Sequence, residues 1–315
     1  MRGIKGLVGI AVLAASLLCM SGCSFALKTN YVYKDGDKYI AGDREIAEKI
    51  DTIDVDYMSG EIILAGSVDE KVSIKETSEK QLDDKRKVHT WVEGSTLHVR
   101  YCASSKGLDL SKLNKKLEIT VPKEVKYSNV KIKASSADMN VGGLTSENVK
   151  INASSGDVTA DVEADNINID VSSGNVNLKQ TGNSSDIILG TSSGDIEADM
   201  DTVDSLNASA SSGKLILNAK KIKELSTVTS SGKNEFRLSE APEKSDISAS
   251  SGDVTIYLPE ELNLTADISV SSGKLFYEQK FSKDGKTYVC GNGSNKMKIN
   301  TSSGDIDIKA LSKND

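Results

Sequence analysis

Ile169-Asp170-Val171-Ser172-Ser173-Gly174-Asn175-Val176-Asn177-Leu178 is the stretch that decides the fold. Ahead of the glycine, Ile169, Val171 and Ser173 occupy alternate positions. Behind it Val176 and Leu178 alternate again, but the count restarts three residues after Ser173 instead of two. Alternation at period two marks a strand with one face turned inward. The odd step requires a bend or bulge at Gly174-Asn175, so that both strands keep facing one interior. In this reading the second serine lies inside and the first outside. Glycine supplies the backbone freedom, and Asp or Asn can hydrogen-bond its own backbone, so the phrase is turn chemistry.

The phrase recurs nine times, beginning at Ser135, Ser154, Ser172, Ser192, Ser211, Ser230, Ser250, Ser271 and Ser302. Its spacings run from 18 to 21 residues, with a final one of 31. A period of this size signals a solenoid. The corner glycines are Gly156, Gly174, Gly194, Gly213, Gly232, Gly252, Gly273 and Gly304, with Ala137 in the first copy. Each coil of ~19 residues holds two strands, a glycine corner and a second polar connection such as 161–166 or 199–204. One coil cannot bury its apolar side. Parallel coils stacked ~4.8 Å apart bury it and line like residues into ladders. The expected fold is therefore all-β, a parallel β-solenoid or β-helix, with Asn234 standing where Val or Leu belongs.

The same grammar reaches upstream. Ile53, Val55, Tyr57 and Ser59, then Gly60-Glu61, then Ile62 and Leu64 repeat the step of three. Val99-Tyr101 and Leu117 to Pro122 add alternating strands with long polar insertions at 76–86 and 104–116. The organisation expected is a leader over 1–22, a tether or small hairpin over 23–44, irregular capping coils over 45–128, and the regular solenoid over 129–311. Asp284-Gly285 between Phe281 and Val289 predicts a protruding hairpin inserted at 277–296, which accounts for the long spacing.

Arg2 and Lys5 precede an apolar run from Leu7 to Leu18 that is too short to cross a ~30 Å hydrocarbon core. The run ends in Met20-Ser21-Gly22-Cys23, which resembles a bacterial lipobox. That resemblance implies diacylation of Cys23, which would become the first residue of a membrane-anchored chain. A plain secretory signal is the alternative. Cys102 and Cys290 then remain; an oxidising exterior permits a disulfide between them, and two buried thiols are the bland alternative. The chain has 39 basic and 46 acidic residues for a formal charge of −7, and removing Arg2 and Lys5 leaves −9. Nucleic-acid binding needs a basic face, so this balance argues against it.

From Ile53 to Leu64, through Leu117 to Pro122 and the serial SSGD phrases, to Gly291-Asn292-Gly293 before Lys298 to Gly304, the chain resembles a family of bacterial cell-envelope β-strand-repeat proteins. These are adhesin-like proteins of unknown function that include the LiaG-like members. The resemblance spans residues 45–310 and implies a β-solenoid displayed at the envelope, with no catalytic residues to carry over.

Catalysis on such a scaffold would need clustered carboxylates. Asp157, Asp195, Asp253 and Asp305 recur after glycine, but Asn175, Lys214, Lys233 and Lys274 share their column, which reads as turn chemistry and ion pairing. His89 and His98 lie outside the repeat, so the serines have no base beside them. One acid per phrase falls short of the six to eight oxygens calcium takes, and neither a metal nor a cofactor is implied. Trp91 reads as a packed residue of an early strand. The expected function is a non-catalytic, lipid-anchored, extracytoplasmic adhesin-like scaffold that meets a cell-wall polymer or an envelope protein. The alternative is a carbohydrate-active β-helix enzyme acting on wall or extracellular polysaccharide.

Overall fold

Two ladders of inward side chains run the length of the molecule, and the sheets that carry them explain the rest. The structure is a computed structural model that describes residues 29–311, so the lipobox and Cys23 lie outside the described residues. The N-terminal region comprises β1 (Thr29–Tyr31), β2 (Ile40–Ala41), β3 (Arg44–Ile46), β4 (Thr52–Ser67), β5 (Val72–Ser78), β6 (His89–Glu93), β7 (Thr96–Arg100), β8 (Ser105–Leu108) and β9 (Lys115–Pro122). Long bent strands follow, each with two arms: β10 (Lys126–Ser155), β11 (Val158–Ser173), β12 (Val176–Ser193), β13 (Ile196–Ser212) and β14 (Leu215–Ser231). Shorter strands close the chain: β15 (Asn234–Leu238), β16 (Lys244–Ser251), β17 (Val254–Leu258), β18 (Leu264–Ser272), β19 (Leu275–Tyr277), β20 (Ser282–Asp284), β21 (Thr287–Cys290), β22 (Asn295–Ser303) and β23 (Ile306–Ala310). The fold is all-β and β-solenoid-like, and its sheet does not close on itself.

The coils pair in parallel and in register. Ile151, Ile169, Leu189, Ala208 and Thr227 stack through successive strand pairs, continuing to Ile247, Ile299 and Ile268. On the facing sheet Val158, Val176, Ile196, Leu215, Asn234, Val254 and Ile306 do the same. All of these side chains are buried. Each large aliphatic one removed from water contributes roughly 1.5–3 kcal/mol.

The corner differs from the expectation in one respect. Both serines of each regular phrase are solvent-facing, for example Ser172 with Ser173 and Ser211 with Ser212. The last inward residue is the one before the pair, as at Val171, Thr191, Ala210 and Thr229. The chain then swings outward for four residues and re-enters at Val176, Ile196, Leu215 or Asn234. The backbone stays bonded through the arc, with Gly174 N donating to Ser193 O at 2.9 Å and Val176 N to Asp195 O at 2.9 Å. The serines therefore form an outer double ribbon instead of an inner ladder.

Asn234 is 1% exposed between Leu215 and Val254. Its Nδ2 reaches the carbonyls of Gly232 and Asp253 only at 3.4 Å, and its Oδ1 has no partner. Replacing a buried, under-satisfied amide by an apolar group of the same shape removes that cost. Asn234→Leu is expected to stabilise the protein by about 1–2 kcal/mol, read as a higher urea midpoint at unchanged slope; a lower midpoint would show that the long Nδ2 bonds matter.

At both ends spatial order departs from chain order. The first coil, β4, is flanked by β7 and β9 on one side and by β10 on the other, so the second coil in sequence is the outer one. Antiparallel strands extend this end: β6 and then β2 beyond β7, β5 and then β3 beyond β9. At the far end β22 and β23, last in sequence, lie between β16 and β17 on one side and β18 and β19 on the other. The hairpin of β20 and β21 does not simply protrude. β21 runs antiparallel along β18, pairing Leu264 with Cys290 and Asp267 with Thr287, and covers that edge. Residues 29–44 form no hairpin of their own either, because β1 pairs with β8 and β2 with β6.

Candidate functional site

The corner column is where catalysis would have to assemble, and its chemistry is local. Asp138 Oδ1 accepts from Asp157 N at 3.0 Å, Asp157 Oδ1 from Asn175 N at 2.7 Å, Asn175 Oδ1 from Asp195 N at 2.9 Å, and Asp195 Oδ1 from Lys214 N at 2.7 Å. Asp253 and Asp305 act likewise on Asp305 N and Lys274 N at 2.9 and 2.7 Å. Each side chain thus caps the backbone of the adjoining coil. A side groove of about 510 Å³ holds Lys179, Asp199, Asp201, Asn218, Lys220 and Arg237. Its acids are engaged too, Asp201 by Lys220 at 2.6 Å and Asp199 by Asn218 at 2.6 Å. Among the described residues no three His, Cys, Asp or Glu gather as a metal site would require.

Cys102 and Cys290 are both free thiols, Cys102 buried and Cys290 half-buried. Cys102 is buried just after β7 and Cys290 ends β21, so nearly the whole stack separates them. Burial pushes the Cys102 thiol up to about 12, which removes it from nucleophilic chemistry at neutral pH.

The open interior at the N-terminal end is plugged by a group that the sequence placed in polar insertions. Lys115 Nζ lies 2.7 Å from Glu76 Oε1, with side-chain exposures of 0% and 3%. Lys115 also donates to the carbonyls of Arg86 and Tyr101, while Glu76 accepts from Tyr57 Oη at 2.9 Å and Val88 N at 2.8 Å. Burial lowers the Lys115 pKa, and Glu76 opposes that shift. A pair satisfied on both sides serves as a structural seal, and Glu76 also lines a groove of about 410 Å³ with Asp43, Lys80 and Lys87.

The far end is different. Tyr277 closes the interior row that runs through Ile256 and Ile308, but no further coil covers it. Phe276 and Tyr277 are 49% and 42% exposed, and among the described residues β19 has no strand on its outer edge. Tyr277, Phe281 and Tyr288 form an edge-on cluster with centroids 5.5, 5.6 and 6.1 Å apart. Lys283 Nζ sits 5.2 Å over the Tyr288 ring, and Lys274, Lys280 and Lys286 are exposed nearby. Beside them Gln279 is 7% exposed, and neither its amide oxygen nor its amide nitrogen has a partner. The tip therefore offers aromatic surface and positive charge, with the unpartnered Gln279 amide buried beneath them. Phe281, Tyr288 and the lysines were legible as hairpin residues. The exposure of Phe276 was not, because it follows from the absence of a covering coil.

Comparison with known proteins places the fold. Among solved structures the chain is similar to a putative adhesin from Parabacteroides merdae ATCC 43184, with 12% identity and a TM-score of 0.50 over 87% of this chain and 97% of that one. It is also similar to a putative adhesin from Bacteroides fragilis NCTC 9343, with 14% identity and a TM-score of 0.41 over 85% and 96% of the two chains. A putative lipid binding protein from Parabacteroides distasonis ATCC 8503 is similar at 16% identity and a TM-score of 0.40 over 86% and 96%. At 12% identity the likeness to the Parabacteroides merdae protein is one of fold. No curated protein matches the chain. The family model described as Toastrack DUF4097 matches residues 50–245 and 231–309, which together take in every glycine corner, and the chain belongs to that family.

Proposed function

We propose that this protein is a non-catalytic, adhesin-like scaffold at the outer surface of the cell membrane, held there by lipid on Cys23 and binding through the β19–β21 tip. The observation that carries this reading is the tip itself: exposed Phe276 and Tyr277 and four exposed lysines gathered where the stack ends. Counting both ends, eleven strand positions run from β7 to β18 along one sheet, so ten spacings of ~4.8 Å set the tip roughly 50 Å from β7. A rigid spacer of that length carries a binding group away from a bilayer, and loops on rigid scaffolds commonly hold such groups.

The lysines stand on a chain of net charge −7. Local positive charge on an acidic protein selects an anionic partner, here an acidic cell-wall polymer, with the aromatic rings supplying contacts beyond charge. The triple change of Lys280, Lys283 and Lys286 to Ser alters only exposed side chains and is expected to leave the melting temperature within about 2 °C. Retention on purified cell-wall fractions is expected to fall about tenfold, and wild-type retention to weaken steeply between low and physiological salt. Undiminished, salt-insensitive retention by the triple variant would remove the tip from consideration.

A further inference from the structure

The opposite end carries a second unusual surface. Along one sheet the outward order is β4, β7, β6 and then β2, so Ile40 and Ala41 lie on the outermost strand. Among the described residues β2 has no partner on its far side. Ile40 is 56% exposed and Val32 60%. Between them runs an aromatic chain: Tyr31 to Tyr33 at 5.5 Å, Tyr33 to Tyr39 at 4.8 Å, Tyr39 to Trp91 at 5.6 Å. Lys38 Nζ stands 4.7 Å over the Trp91 ring. His98, stacked on Trp91 at 5.6 Å, is fixed from behind by Asp54 at 2.8 Å, which also holds Arg100 at 2.6 Å. The fold thus braces the cluster and leaves its aliphatic and aromatic rim toward solvent.

Chain length restricts what can cover that rim. Six residue steps separate Cys23 from Thr29, and a fully extended chain spans at most ~3.6 Å per step, or roughly 22 Å. A lipid on Cys23 therefore holds Thr29 within about that distance of the headgroups. Thr29 begins β1, two residues before the first tyrosine of the cluster. Tryptophan and tyrosine favour the membrane–water interface, where an apolar ring and a polar tip are both accommodated, and a lysine stem lies along apolar surface while its ammonium stays wet. We propose that the outer edge of the N-terminal cap, formed by Tyr39, Ile40 and Trp91 with Val32 and Lys38, rests in the headgroup layer of the membrane that carries the anchor. This contact rests on lipidation of Cys23. It stands the solenoid up from the bilayer and points the β19–β21 tip outward.

Two features favour a lipid surface over a sugar. The Trp91 ring already carries His98 and the Lys38 ammonium, where a sugar would need a bare face. The neighbouring charges balance: Lys34 and Lys38 both lie near Asp35, at 3.6 and 3.1 Å, and Asp37 stands in the same turn. The contact is consequently apolar and interfacial, and it is insensitive to salt, unlike the tip.

Trp91 is the single tryptophan of the chain and so reports directly. The lipidated full chain is placed on phosphatidylethanolamine–phosphatidylglycerol vesicles containing a quencher either at the headgroup or deep in the acyl layer. The headgroup quencher is expected to remove about half or more of the Trp91 emission and the deep quencher much less. Ile40→Asp, at an exposed position, is expected to restore the emission while the protein still floats with the vesicles. Mass spectrometry of the N-terminal peptide separates the two premises. An unacylated Cys23 overturns the anchor and the cap contact together. An acylated Cys23 with floating protein and unquenched Trp91 overturns the cap contact alone. Emission that responds to soluble wall glycan fragments and not to vesicles would overturn it in favour of a carbohydrate site.

Discussion

Ile196→Asp is expected to destabilise the protein by about 3–5 kcal/mol, whereas Glu197→Lys, one residue away, should stay within about 0.5 kcal/mol. Ile196 is fully buried, held in register between Val176 and Leu215 on the adjoining coils, and Glu197 faces solvent. A carboxylate at 196 would lie between two apolar rungs with no cation or backbone donor to meet it, so it either pays desolvation or takes up a proton. The penalty should therefore shrink at acidic pH. Thermal melts of both variants at neutral and acidic pH check this: equal shifts from the two substitutions would show that the strand faces are assigned the wrong way round.

Gly213→Ala should be nearly as damaging, by about 3 kcal/mol or more. Gly213 has φ +130°, a region L-residues rarely enter, and a methyl there would run into the backbone carbonyl of Gly194 on the coil below. Backbone in a stacked corner cannot step aside as a flexible side chain can, so steric cost adds to conformational cost. Gly285, in the tip hairpin, provides the control. Its φ is +59° and a methyl there meets nothing within 4 Å, so Gly285→Ala should cost only about 1–2 kcal/mol. Chemical denaturation of the two variants measures the difference, and equal losses would mean that the close approach between corners contributes nothing.

The corner phrase was readable because both of its determinants are local. Alternation at period two sets which side chains turn inward, and that parity holds from Ile151 through Ile308 with no long-range information. One local misreading, the placing of Ser173 and its equivalents inside, arose because alternation was carried one residue too far into an arc that had already left the strand. The column of Asp157, Asn175 and Asp195 sits at the turn but does not bond its own backbone as the phrase alone implies. Its true partner, the backbone N–H of the adjoining coil, is invisible in a single phrase because it lies 18 to 20 residues away.

The sequence by itself determined the coil, its corner and its inner face, since these depend on residues a few positions apart. The order of coils at the two ends was decided only in three dimensions. Every regular coil offers nearly the same edge, with the same spacing of donors, acceptors and inward apolar residues, so β22 can pair with β16 or β18 equally well by local rules. Its place between them follows from the path of residues 277–294, which lets β21 cover the outer edge of β18 and leaves the vacant rung for the last strands. The same holds for the candidate surfaces. Phe276, Tyr277, Ile40 and Val32 are ordinary strand or loop residues in sequence, and Glu76 and Lys115 are ordinary charges. Whether each is covered, paired or left facing water depends on what the neighbouring layer supplies, which is a property of the stack and not of the phrase.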